Sequence, residues 1–107
     1  MALRELELTE RRFLFGPGGP DAMGPEASML KICGTELQQE VAALTMEAMG
    51  WHAMVTGEGG PGGNEPTPGP PEAAWAARSY FNNRKTSIYS GSNEIQRNII
   101  AKAVLGL

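Results

Sequence analysis

The chain has almost no cysteine and almost no histidine: one of each among 107 residues, Cys33 and His52. A lone cysteine cannot close an internal disulfide, and nothing here has the paired spacing of a zinc site, so no metal is expected. Cys33 falls in an apolar helical pattern, which predicts a buried small hydrophobe in a reducing compartment. Runs of basic residues are also missing, and the net charge is −3. That disfavours a phosphate-backbone partner, and no nucleic acid is expected. No stretch approaches the roughly 18 consecutive apolar residues of a membrane-spanning helix. The opening MALRELELTERR is too charged for a signal peptide, so the expected location is cytoplasmic.

Glycine and proline, by contrast, are plentiful, at 14 and 8 residues. They cluster, which predicts flexible loops at about 16–24 and 51–71. The second stretch holds too many prolines and glycines for regular helix or a central strand. The length suits one domain spanning 1–107. Its core has to come from three or four short apolar segments.

Four segments carry helical patterning. Residues 2–14 place Leu3, Leu6 and Phe13 on one face among Glu and Arg. No capping residue precedes Leu3, so the pattern reads as a helix entered midway. A second helix opens at Pro25, with Glu26 in its first turn, and stops at Gly50. Leu30, Cys33, Leu37, Val41, Leu44 and Ala48 form one apolar stripe along it. Gly34 within this stripe suggests close approach by another helix. A third helix is expected from Glu72 towards Tyr89, with Ala74, Ala77 or Arg78, Phe81, Lys85 and Ile88 on one face and a weak point at Asn82–Asn83. Ser90–Gly91 breaks it. A fourth runs from about Ser92 to Leu105, with Ser92 as N-cap, Glu94 in the first turn and Lys102 at the negative end. Ile95, Ile99, Ile100, Ala103 and Val104 give it a broad apolar face.

The fold class is therefore all-α, with three to four antiparallel helices forming an incomplete four-helix bundle. An up-down bundle needs four complete helices to seal its core. Part of the core is expected from outside this chain.

The Ser90–Gly91–Ser92 turn is the best candidate for chemistry. Gly91 lets a ligand approach the backbone closely, and helix-start N–H groups suit an anionic or carbonyl-bearing group. The same residues also suit a plain connector in which Ser92 caps its own helix. Arg84 and Lys85 read either as phosphate contacts or as solvated helix charges. His52, beside Trp51 at a helix end, is explained by dipole complementarity.

The closing string TSIYSGSNEIQRNIIAKAVLGL, residues 86–107, resembles the C-terminal signature of the FAD-dependent acyl-CoA dehydrogenases. The resemblance is strong over Tyr80–Leu107 and moderate over Ala27–Gly50. It implies the C-terminal helical domain of that family and a share in its reaction. In that reaction a carboxylate takes the α-proton of an acyl-CoA while FAD accepts a hydride from the β-carbon. The product is a 2-enoyl-CoA, and electrons pass to an electron-transfer flavoprotein. Implied roles are thioester-carbonyl binding by the Ser90 N–H, substrate contact at Gly91, and FAD contact at Ser92, Asn93 and Glu94. In a family loop that touches a neighbouring subunit's FAD, only Gly50 matches, while Glu47 and Trp51 depart. Backbone contact at Gly50 is the implied role there, beside its plain role as a helix stop.

Ser90 stands where many members carry the glutamate base, and a serine hydroxyl has no useful proton affinity near neutral pH. The base is expected on another helix outside this sequence. The alternatives are a non-catalytic partner of an active subunit and a degenerate chain. Glu94 is better explained by cofactor contact and helix position than as a replacement base. The family's N-terminal helical and middle β-domains do not fit within 107 residues. The expected partners are therefore other dehydrogenase subunits or domains in an oligomer, and the chain alone is expected to be inactive. The competing reading is a helical interaction module that docks on a dehydrogenase subunit.

Overall fold

The computed structural model describes residues 1–17, 19, 24–54 and 69–106. Among them are four α-helices and no strand: α1 Ala2–Phe15, α2 Pro25–Met49, α3 Ala73–Asn83 and α4 Asn93–Leu105. This is the all-α class expected. The loops expected at 16–24 and 51–71 fall partly outside the description, at residues 18, 20–23 and 55–68. Residues Gly50–Met54, assigned mostly to the second loop, instead form a short 3-10 helix.

The described residues divide into two units, Met1–Leu37 with Thr86–Leu107, and Gln38–Lys85. In the first unit, α1 is built from strong helix formers. Glu7 pairs with both Arg4 and Arg11 at 2.8 Å, one turn away on either side. None of its residues is buried. Leu6 of α1 comes near α2 at Gly34. A Cβ added at Gly34 would lie 4.0 Å from Leu6 Cδ2, an ordinary contact. The approach is therefore less close than the glycine suggested, and alanine has room there. Along the start of α1, a groove of about 320 Å³ opens between Leu6, Thr9, Met29, Leu30, Cys33 and Leu37.

α4 has the termini its sequence announces. Ser92 Oγ accepts the Ile95 N–H at 3.4 Å, Glu94 and Lys102 occupy the ends they suit, and Gly106 closes the helix at φ 71° with its N–H on the Lys102 carbonyl. Arg97 reaches Glu36 of α2 at 2.8 Å, both side chains 55% exposed.

In the second unit, α3 packs on the 3-10 helix through small residues, with Ala53, Ala73, Ala76 and Ala77 buried. The Gln39 amide donates to the carbonyls of Asn83 at 3.2 Å and Arg84 at 3.4 Å. The Arg84 guanidinium donates back to the Gln39 carbonyl at 3.1 Å and lies over the Tyr80 ring. This ties α2 to the end of α3.

Two sequence expectations need correction. The α2 stripe is not its buried face: Cys33, Val41 and Leu44 are exposed, and Ser28, Ile32 and Ala42 are buried instead. Polar Thr35 and Gln39 share that inner side because each finds hydrogen-bond partners there. The third helix ends at Asn83, the weak point, and continues only as a 3-10 turn, Arg84–Ser87. Phe81 and Ile88 are consequently exposed while Ala73, Ala76 and Thr86 are buried. The broad apolar face expected on α4 is present and open, with Ile95, Ile99 and Val104 each more than two-fifths exposed.

Candidate functional site

Thr86 to Glu94 forms a corner in the first unit. Ser90 and Gly91 both have left-handed backbone, φ 55° and 83°. Two such residues in succession reverse the chain sharply and deliver it to Ser92, which is extended at φ −60°, ψ 158°. For Gly91 the conformation is free of the Cβ penalty, but Ser90 is held in it at a cost of about 1–2 kcal/mol. Such strain persists only where the surroundings over-determine it.

Two sets of contacts hold the corner. The Gln96 amide reaches back along α4 and donates to the Ser90 and Gly91 carbonyls at 3.4 and 3.5 Å, long bonds that close over the turn. On the α2 side, Asn93 is only 4% exposed. Its Oδ1 accepts from Lys31 Nζ at 2.7 Å and from Thr35 Oγ1 at 3.2 Å. Among the described residues, neither the Ser90 nor the Gly91 N–H has a backbone partner. Both residues are exposed.

The expected site residues thus differ in what they have to offer. Ser90 and Gly91 are exposed and their N–H groups have no backbone partner among the described residues. The Ser92 hydroxyl caps its own helix. Asn93 faces inward, its side-chain oxygen already shared by two donors. Glu94 is exposed at the helix start. Its carboxyl sits below the ordinary 4.5, first through its own backbone N–H, then through the Ser92 hydroxyl, with Arg97 and Lys31 adding favourable charge. A carboxylate stabilised in this way is a poorer proton acceptor than a free one.

Gly50 belongs to the second unit. It ends α2 at φ 54°, and a Cβ there would meet nothing within 4 Å. Its freedom of backbone explains the stop, and its surface is open. Nearby, His52 stacks on Trp51 with centroids 4.0 Å apart. Arg84 is engaged by Gln39 and Tyr80, and Lys85 Nζ donates to Asn82 Oδ1 at 2.9 Å. Lys31 and Thr35 were not singled out from sequence. Their signal, two polar residues four apart on a face shared with Ile32, was masked by the apolar stripe beside it.

Among the described residues, helices with a strained small-residue turn feeding the start of the last one define an α-helical domain that exposes backbone donors at a corner. The family to which it belongs follows from comparison: the acyl-CoA dehydrogenase C-terminal domain matches residues 14–105. The chain belongs to that family. No curated protein and no solved structure matches it. Among the described residues, no helix is long and apolar enough to cross a membrane.

Proposed function

We propose that the chain is part of an FAD-dependent acyl-CoA dehydrogenase, a cytoplasmic flavoenzyme that converts an acyl-CoA thioester to its 2-enoyl-CoA. The observation that carries this reading is the left-handed Ser90–Gly91 turn within the family match. The turn fits a thioester: it offers N–H donors, and the side chain beside Gly91 is the flexible end of Gln96, held there only by long bonds of 3.4 and 3.5 Å.

In this reading the Ser90 N–H holds the thioester carbonyl. Removal of the α-proton places enolate-like charge on that oxygen, and a fixed donor stabilises the charge where it develops. The positive end of α4 adds to the same field. Gly91 lies against the substrate. When bound, FAD supplies the acceptor for the hydride leaving the β-carbon. Ser92 and Glu94, exposed or partly exposed at the helix start, face its polar groups. Asn93 supports them from within, and Gly50 offers backbone to a flavin held by another subunit. The base is a carboxylate elsewhere in the assembly, because the Ser90 hydroxyl cannot serve and Glu94 is committed to the first turn of α4 and to the cofactor. Electrons leave to an electron-transfer flavoprotein.

Exposed Trp51, Trp75 and Phe81 also support the second reading, a helical module that docks on a dehydrogenase subunit. One experiment separates the two: acyl-CoA dehydrogenation by the assembled flavoprotein with and without this chain. The first reading expects flavin and activity to be lost together when the chain is removed, and no turnover by the chain alone. In the assembly, Ser90→Gly keeps the N–H and suits φ 55°, so the rate should stay within about threefold, since the hydroxyl has no part in proton transfer. Flavin content and rate that are unchanged without the chain would overturn the enzymatic reading.

A further inference from the structure

The geometry points to Lys31 as a positioning residue that acts through Asn93 to set the Ser90–Gly91 turn. Lys31 is 62 residues from Asn93 in sequence, yet its ammonium donates to Asn93 Oδ1 at 2.7 Å. A charge-assisted bond of that length is among the stronger hydrogen bonds available to a protein. Thr35, one turn further along α2, shares its single hydroxyl proton between the same oxygen at 3.2 Å and the Ile32 carbonyl at 3.0 Å. Asn93, itself only 4% exposed, is thus held from two successive points on one helix.

The placement runs against simple electrostatics. A cation is disfavoured at the N-terminal, positive end of a helix, and Asn93 is the first residue of α4. Lys31 is held there by the Asn93 oxygen, and the Glu94 carboxylate next door balances its charge. A helix start that needed only capping has Ser92 for that purpose. The extra bond fixes where the helix begins relative to α2. Asn93 is two residues from Gly91, a reach of at most about 7 Å, so a shift at Asn93 passes directly into the turn. Sub-ångström to ångström displacement of a binding group is enough to impair a reaction severely.

The functional part of this inference rests on the dehydrogenase reading; the structural part does not. Amide hydrogen exchange in the full chain tests the structural part. Lys31→Met should speed exchange at Ile95 and Gln96 at least about tenfold, with α3 amides unchanged. Lys31→Arg, which keeps a charged donor, should restore most of the protection. Thr35→Val, a milder change, should loosen the same amides to a smaller extent and serves if Lys31→Met does not fold. Exchange at Ile95 and Gln96 unchanged in these variants, or raised equally throughout the chain, would overturn the proposal. In the assembled flavoprotein, Lys31→Met should lower kcat about tenfold with KM within about twofold, the pattern of a group aimed at the transition state. A rise in KM alone would overturn the link to the turn. Altered exchange in an assembly with no dehydrogenase activity would leave the positioning role standing and remove the function proposed above.

Discussion

Replacing Gly91 by alanine tests the backbone of the corner. An L-residue held at φ 83° costs about 1–2 kcal/mol relative to glycine. The new methyl would also stand 2.6 Å from Gln96 Nε2. That amide is the far end of a flexible side chain, so it swings aside and gives up its bonds to the Ser90 and Gly91 carbonyls. Those bonds are 3.4 and 3.5 Å long, and their joint contribution is at the low end for hydrogen bonds, about 0.5 kcal/mol. The sum is roughly 1.5–2.5 kcal/mol, which lowers Tm by about 6–10 °C in a chain of this size. Urea and thermal unfolding followed by circular dichroism measure it. Gln96→Ala alone should cost only about 0.5 kcal/mol, and should add little when combined with Gly91→Ala, because the amide has already left. A Gly91→Ala penalty under about 0.5 kcal/mol would refute the left-handed turn, since no L-residue adopts that backbone freely.

Three other outcomes follow from the same geometry. Gly34→Ala should stabilise the chain by about 1 kcal/mol in urea unfolding, because the helix gains propensity and the methyl meets only Leu6 at 4.0 Å; destabilisation would mean a tighter α1 approach. Ser92→Ala should cost about 0.5–1 kcal/mol, at the lower end for a cap because the Ile95 bond is long at 3.4 Å, and a stability unchanged in equilibrium unfolding would deny the cap. Glu94 has a lowered carboxyl pKa in the folded chain, so its contribution is present above the ordinary value of 4.5 and is lost as pH falls through the lowered one. Glu94→Gln should therefore flatten the fall in urea midpoint across that acid range, and an identical slope in both proteins would contradict the shift.

The last helix was the most legible part of the chain because its signals are local. Ser92, Glu94, Lys102 and Gly106 each act within one turn of their own position, so their meaning survives whatever packs nearby. Gly50 stopped α2 for the same reason. Which side of α2 turns inward was not legible. Hydrophobic periodicity marked Cys33, Val41 and Leu44, but the chain buries Ser28, Ile32 and Ala42 and accepts Thr35 and Gln39 beside them. Those polar residues are stable there only because partners distant in sequence, Asn93, Asn83 and Arg84, meet them. No pattern within one helix records that. The corner was legible as small residues before a capped helix. Its two successive left-handed residues were not, because serine at Ser90 gives no sign of a positive φ. The partners of Asn93, Lys31 and Thr35, were not legible either, because they lie 62 and 58 residues away in sequence.

The carbonyl stretch of a ¹³C-labelled acyl-CoA thioester, bound to the flavoprotein assembled with this chain, reads the corner's task directly. If the Ser90 N–H holds that oxygen, difference infrared spectra show the band displaced to lower wavenumber than in free ligand, and Gly91→Ala, which disturbs the turn, moves it back. A bound thioester whose band matches the free one, or one indifferent to Gly91→Ala, would contradict the account.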